Sequence, residues 1–221
     1  MDKLAVFNWS GGKDSMLALH YLLLAKEYKI QYLLTTVNDA YNRIAMHGVR
    51  EALLIAQAKS LNIPLYQIRL PEMPDMKTYE NAMDFHFGIL REQGIGYTVF
   101  GDIFLEDLKK YREDQFDKIR MTTLFPLWKR DSLALVKEFI DLGYKTIVVC
   151  AREDLKDFCG RVVDQSFLDD LPNDVDPCGE NGEFHTFVFD GPIFTKPISF
   201  TLGELVHKNH GYWYVDLVPN H

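Results

Sequence analysis

A chain of 221 residues, 47% hydrophobic and 25% charged, has the length and composition of a soluble globular protein with a sizeable core, built as one large domain or as one domain with a smaller appendage. Its formal net charge of −8 argues against long-range attraction to nucleic acid and leaves DNA out of the expected partners. No apolar run reaches the roughly 18 residues that a transmembrane helix needs, so no membrane partner is expected.

Leu4-Ala5-Val6-Phe7 predicts a first strand over residues 4–8, and Met16, Leu17, Leu19, Leu23 and Leu24 predict a helix over 14–27. Between them stands Ser10-Gly11-Gly12-Lys13-Asp14-Ser15. Gly11 and Gly12 let the backbone approach a ligand with no Cβ in the way. A helix N-terminus offers unpaired N–H groups and a positive dipole end to an anion. Lys13 adds a full charge, Ser10 and Ser15 add hydroxyls, and Asp14 is placed to cap the helix or help hold a metal ion. The six residues read as a phosphate cradle, but not as the Gly-x-x-x-x-Gly-Lys-Ser/Thr loop of the Walker type.

Further along, strand-like runs at 30–37, 64–68, 98–100, 123–125 and 146–150 alternate with helical stretches near 47–61, 77–93, 105–118 and 131–142. Gly94 and Gly143 mark helix ends. This alternation predicts a doubly wound α/β fold, a mostly parallel sheet with helices on both faces. In such sheets ligands sit at the carboxyl ends of strands near a topological switch point, where the 10–15 loop falls. His47 stands near the end of the second strand. Gly101 and Asp102 follow the fourth, with Asp102 a metal or ribose candidate or simply a helix cap. Arg112 and Arg120 flank the next helix as phosphate contacts or as a solvated face.

After about residue 152 the texture changes. Residues 170–183 are dense in Asp, Pro, Asn and Gly, and β-like runs follow at 183–189, 198–202 and 212–218. The expected division is a nucleotide-binding domain over 1–152 and a smaller, β-rich or mixed unit over 153–221 that closes a cleft against it. The loop into its first strand, Asp176-Pro-Cys-Gly-Glu-Asn-Gly-Glu-Phe-His-Thr186, carries Glu180, Glu183 and His185. His185 and Thr186 must point to opposite faces of that strand. Taken alone, the loop reads equally as an acidic turn with a surface histidine. Cys150, Cys159 and Cys178 have no metal-finger spacing; their odd number and the lack of a secretory leader fit a reducing compartment, so the cytoplasm is expected.

The 10–15 hexapeptide resembles the PP-loop of the N-type ATP pyrophosphatases. Together with Gly179-Glu180-Asn181-Gly182-Glu183-Phe184-His185-Thr186 it resembles, within them, the diphthine–ammonia ligase family. Weaker landmarks agree, among them Met46-His47-Gly48-Val49-Arg50, Phe100-Gly101-Asp102-Ile103 and Pro126-Leu127-Trp128. His185 and Asp176-Pro177-Cys178 look like the bacterial variants. The resemblance implies an enzyme: a carboxylate attacks the α-phosphate of ATP, pyrophosphate leaves, and ammonia displaces AMP from the acyl-adenylate. It implies ATP and Mg²⁺, the phosphates held by Ser10, Gly11, Gly12, Lys13 and Ser15, and the metal by Asp14 and Asp102. Adenine would lie near Thr36, with His47 and Gly101 lining the pocket. Lys13, Asp14, Glu180, Glu183 and His185 would carry the chemistry. The acceptor would be diphthine on elongation factor 2 or, in a bacterium, an unknown carboxylate. The rivals are a PP-loop pyrophosphatase with another acceptor and a non-catalytic nucleotide sensor. A homodimer is compatible with the composition.

Overall fold

The computed structural model describes residues 2–44, 48–208 and 211–220. It forms two sheets. The first contains β1 (Lys3–Asn8), β2 (Tyr28–Asn38), β3 (Arg43–Ile44), β4 (Leu65–Leu70), β5 (Tyr97–Val99) and β6 (Thr122–Leu124). β1 is flanked by β2 and β5, β4 extends the sheet beyond β2, and β6 extends it beyond β5. All of these pairings are parallel; only the short β3 runs antiparallel to β2. The chain therefore winds outward from β1 on one side, then returns to its other side. The switch point lies at the carboxyl ends of β1 and β5.

Alternation along β1 sends Ala5 and Phe7 to one face and Val6 to the other. The first face carries α1 (Lys13–Ala25), α2 (Glu51–Ser60) and α5 (Ser132–Asp141). The second carries α3 (Met76–Glu92) and α4 (Glu106–Lys118), through Phe87, Leu90 and Phe116. The expected helix ends hold: Gly94 and Gly143 take φ of 84° and 83°, the left-handed conformation that glycine adopts without strain.

The second sheet is antiparallel, in the order β8 (Phe184–Asp190), β7 (Lys145–Arg152), β10 (Tyr212–Pro219), β9 (Phe200–Lys208). Here one expectation is corrected. The 146–150 strand, read from its position after a helix as the last member of the parallel sheet, pairs instead with β8 and β10. A helix before a strand fixes neither its sheet nor its partners; those depend on β8 and β10, which arrive later in the chain.

β8 docks this sheet on the 10–15 loop. The N–H of Val188 donates to the carbonyl of Gly11 at 2.9 Å. Gln57, fully buried on α2, donates through Nε2 to the carbonyls of Gly11 (3.1 Å) and Val188 (2.6 Å) and accepts from Trp9 Nε1 at 2.7 Å. One side chain thus satisfies groups on the loop, on β8 and on the residue after β1.

Candidate active site

A cleft of about 550 Å³ opens at the switch point, between the 10–15 loop, the ends of β2 and β5, α4 and the 178–186 segment. Its lining includes Ser10, Gly12, Lys13, Asp14, Ser15, Thr36, Gly101, Asp102, Glu180 and His185. Two other sequence candidates stand behind it. Gly11 is packed against Gln57, Leu54 and Phe187, and Glu183 is buried outside the cleft's lining. His47 lies outside the described residues. Arg120 is exposed and away from the cleft, whereas Arg112 lines it.

α1 begins at the loop with no side-chain cap; Gly12 is its extended N-cap. Ser10 Oγ accepts from Gly12 N at 3.2 Å and lies 2.9 Å from Ser15 Oγ. The N–H of Lys13 donates to Thr186 Oγ1 at 3.1 Å. The Lys13 ammonium is buried and donates to Asp14 Oδ2 at 2.8 Å and to the carbonyl of Cys178. Burial pulls its pKa down, but the Asp14 carboxylate beside it, with Glu180, outweighs burial and holds it above the ordinary lysine value. It stays charged, and two of its three protons go to Asp14 and Cys178.

Gly101 brings the end of β5 against the start of α1. A Cβ there would stand 3.0 Å from Ser15 N and 3.1 Å from Asp14 C. Asp102 faces Arg112, whose Nε is 2.7 Å from Oδ2 and whose Nη2 is 3.2 Å from Oδ1. Burial raises the pKa of Asp102, with Arg112 opposing.

The last loop is self-bracing. Asp176 Oδ1 accepts from the N–H groups of Cys178 (2.9 Å) and Glu180 (3.1 Å). Glu183 Oε1 accepts from Asp176 N and from Asn181 Nδ2, each at 3.1 Å. Tyr212 on β10 donates to the carbonyl of Gly182 at 2.9 Å. Glu183 therefore shapes the loop from behind, while Glu180 faces the cleft and accepts from Ile103 N at 2.7 Å. Burial, reinforced by Asp14 and Asp102, raises Glu180 to about 7, against the pull of Ile103 and Lys13. His185, on the cleft side of β8, is driven down to about 4 by burial and by Lys13, so it is neutral at pH 7. Burial pushes the Cys178 thiol up, and its Sγ donates to the carbonyl of Ser132 at 3.4 Å. It is no thiolate nucleophile.

The sequence reading missed Gln57 and Thr186 as supports of the loop. Gln57 had a legible signal: a polar side chain at the apolar-face spacing of Leu53, Leu54 and Ala58. Thr186 had none, because its partner lies 173 positions away.

A glycine–lysine loop at the switch point of a parallel α/β sheet, roofed by a loop from an antiparallel sheet, forms one cleft from two structural halves. Comparison with known proteins places both halves. Residues 2–121 match the diphthamide synthase N-terminal domain and residues 131–218 the diphthamide synthase C-terminal domain, so the chain belongs to the diphthamide synthase family. Curated relatives carry the name diphthine–ammonia ligase. The Homo sapiens protein is 29% identical over 222 residues, covering 89% of this chain and 82% of that protein. The Danio rerio protein is 30% identical over 117 residues, 49% of this chain and 46% of that protein. The Schizosaccharomyces pombe protein is 28% identical over 105 residues, 45% of this chain and only 17% of its own length. No helix among the described residues is long and apolar enough to cross a membrane.

Proposed function

We propose that this chain is an ATP-dependent ligase that adenylates a substrate carboxylate and passes the acyl group to ammonia, with diphthine, named in its relatives, as the first acceptor to test. The observation that carries this reading is the convergence of Lys13 and Glu180 on one cleft: a buried cation tied to the last loop, and a carboxyl titrating near 7 on that loop. A phosphate sensor needs the first but not the second.

In the first step a carboxylate oxygen of the acceptor attacks the α-phosphorus of ATP, and the bond to the β-phosphate oxygen breaks. Negative charge builds on the leaving pyrophosphate. The N–H groups at the start of α1, the hydroxyls of Ser10 and Ser15 and the remaining proton of Lys13 face that charge. Adenine is assigned to the end of β2, beside Thr36. In the second step the nitrogen of ammonia attacks the acyl carbon, AMP leaves, and the nitrogen gives up a proton to Glu180. His185, neutral at pH 7, is assigned to hydrogen bonding with the acceptor or ammonia rather than to proton removal. Glu183 acts on the shape of the loop.

Among the described residues no group of three or more His, Cys, Asp and Glu could hold a metal ion. Mg²⁺ on a nucleotide needs only one or two carboxylates, the rest of its shell being phosphate oxygens and water. Asp14, paired with Lys13 at 2.8 Å, and Asp102, paired with Arg112 at 2.7 Å, are the two carboxylates at the loop that would meet that demand. Bound there, Mg²⁺ would neutralise phosphate charge. Ammonia enters free or is delivered by another protein, since the buried thiols of Cys150 and Cys178 suit no glutamine-cleaving role in this chain.

Adenylation is tested with an acceptor whose carboxylate is labelled with ¹⁸O. One label must appear in AMP for each amide formed. Label confined to phosphate or pyrophosphate would replace this scheme by a phosphoryl transfer.

A further inference from the structure

Ile44 lines the cleft together with Leu34, Thr35 and Thr36, at the end where adenine is assigned. It is buried, and β3 pairs it with Val37 of β2. A strand as short as Arg43–Ile44 does not hold its place by pairing alone. The main chain around it closes a turn: Ile44 N donates to the carbonyl of Val49 at 2.9 Å, and Gly48 N donates to that of Ile44 at 3.1 Å.

This turn is seated from both halves of the molecule. From β4, Arg69 reaches Asp39 and Asn42 at 3.2 Å and Glu51 at 2.7 Å, all exposed bonds open to solvent screening. From β10, Asp216 accepts from Arg43 Nη2 and Arg50 Nε at 3.0 Å each, and from Arg50 Nη2 at 2.6 Å. Arg43 directs its other amino group, Nη1, to the carbonyl of Gly48 at 2.6 Å. One carboxylate thus grips the turn on both sides of Ile44, in the fork geometry that fixes direction as well as distance. The bonds from Arg50, and then from Arg43, hold the Asp216 carboxyl below its ordinary range, so it is ionised at neutral pH. The β9–β10 ladder is interrupted between Val215 and Leu217, and Asp216 falls in that interruption, where a strand re-aims a side chain. Gly48 lies against Tyr214 of the same strand; a Cβ on it would stand 3.0 Å from the ring.

We propose that Asp216 is a positioning residue for the nucleotide: through Arg43 and Arg50 it holds the turn that sets Ile44 against the base, so that the second sheet contributes to ATP binding by a route separate from the 176–186 loop. The placement of the base rests on the proposed function; the seating of the turn does not. Asparagine at 216 keeps the shape but not the charge, leaving two guanidiniums side by side with no carboxylate between them. The turn relaxes and Ile44 withdraws from the cleft. The phosphate end, braced by Gln57 and Val188, stays in place.

Binding to the full chain is measured by calorimetry for AMP, which carries the base, and for pyrophosphate, which does not. The proteins are wild type, Asp216→Asn, Arg43→Gln and the double variant. Asp216→Asn should bind AMP about tenfold more weakly and pyrophosphate as wild type does. Arg43→Gln should show the same selective loss, and it carries the test should the Asp216 variant fail to fold. The double variant should lose no more than the larger single loss, since both substitutions release the same turn. A merely destabilised protein would lose both ligands alike, and melting temperatures of the same samples register it. Wild type that binds no AMP, unchanged AMP affinity in the variants, an equal loss of pyrophosphate, or losses that multiply in the double variant overturns the assignment. Both titrations are read without turnover. If no acceptor yields AMP or amide with wild type, the ligase reading is removed, while a selective loss of AMP in Asp216→Asn leaves the positioning role standing.

Discussion

The ammonium of Lys13 donates to the main-chain carbonyl of Cys178, 165 positions further along the chain. The 10–15 loop and the loop that roofs it are therefore linked through the buried Lys13.

Replacing Lys13 with Met keeps most of the buried stem and removes the charge. AMP formation should fall by about 100-fold or more, the scale of losing one preorganised donor to developing charge. ATP affinity should weaken as well, since the charge also faces the ground-state phosphates. Initial-rate assays and ATP titration check both.

In the proposed mechanism Glu180 sets a pH limb. Its folded carboxyl titrates near 7, so as a proton acceptor it is active only when ionised, and amide formation should rise with pH through about 7. Glu180→Gln should flatten that limb and slow the ammonia step more than adenylation. His185→Gln should leave the midpoint in place, because His185 titrates near 4. Stability carries the opposite sign. The carboxyl is raised from 4.5 to about 7, so its stabilising contribution is fully present below pH 4.5 and is lost as pH rises through about 7. Glu180→Gln should therefore melt higher than wild type at pH 8, and the gain should disappear below pH 4.5.

Gln57→Leu removes the acceptor of Trp9 Nε1 and the donor to Gly11 and Val188 at a fully buried position. Each group left unpaired costs about 1–3 kcal/mol, so a loss of roughly 3 kcal/mol is expected. Urea unfolding with an unchanged m-value measures it. ATP binding should weaken too, because Gly11 loses one of its anchors.

Gly101→Ala places a methyl 3.0 Å from Ser15 N and 3.1 Å from Asp14 C, which are main-chain atoms with no side-chain freedom to yield. The start of α1 must shift. ATP affinity should fall by about tenfold or more, with a smaller change in melting temperature, as read by calorimetry and nucleotide titration.

What was legible in the chain followed local physics. The strand at 4–8, the helix opened by Gly12 and the left-handed Gly94 and Gly143 all depend on neighbours within a few residues. So did the gathering of Ser10, Lys13, Asp14 and Ser15, because a strand, a tight turn and a helix put them there. The second sheet was harder. β7 follows a helix just as β5 and β6 do, and its antiparallel partners β8 and β10 come later in sequence. Glu180 and Glu183 look alike in the sequence, three residues apart. Only the turn made by Asp176, together with the left-handed Gly179 and Gly182, sends one into the cleft and the other behind it.

The most direct measurement is the product of ATP cleavage. The protein is incubated with ATP, Mg²⁺ and ammonium, with and without a diphthine-bearing acceptor, and nucleotide and phosphate products are quantified against amide. The account predicts AMP, pyrophosphate and amide in equal amounts, with all three lost without acceptor and in Lys13→Met. ADP with orthophosphate, or AMP released at the same rate with no acceptor present, would contradict it.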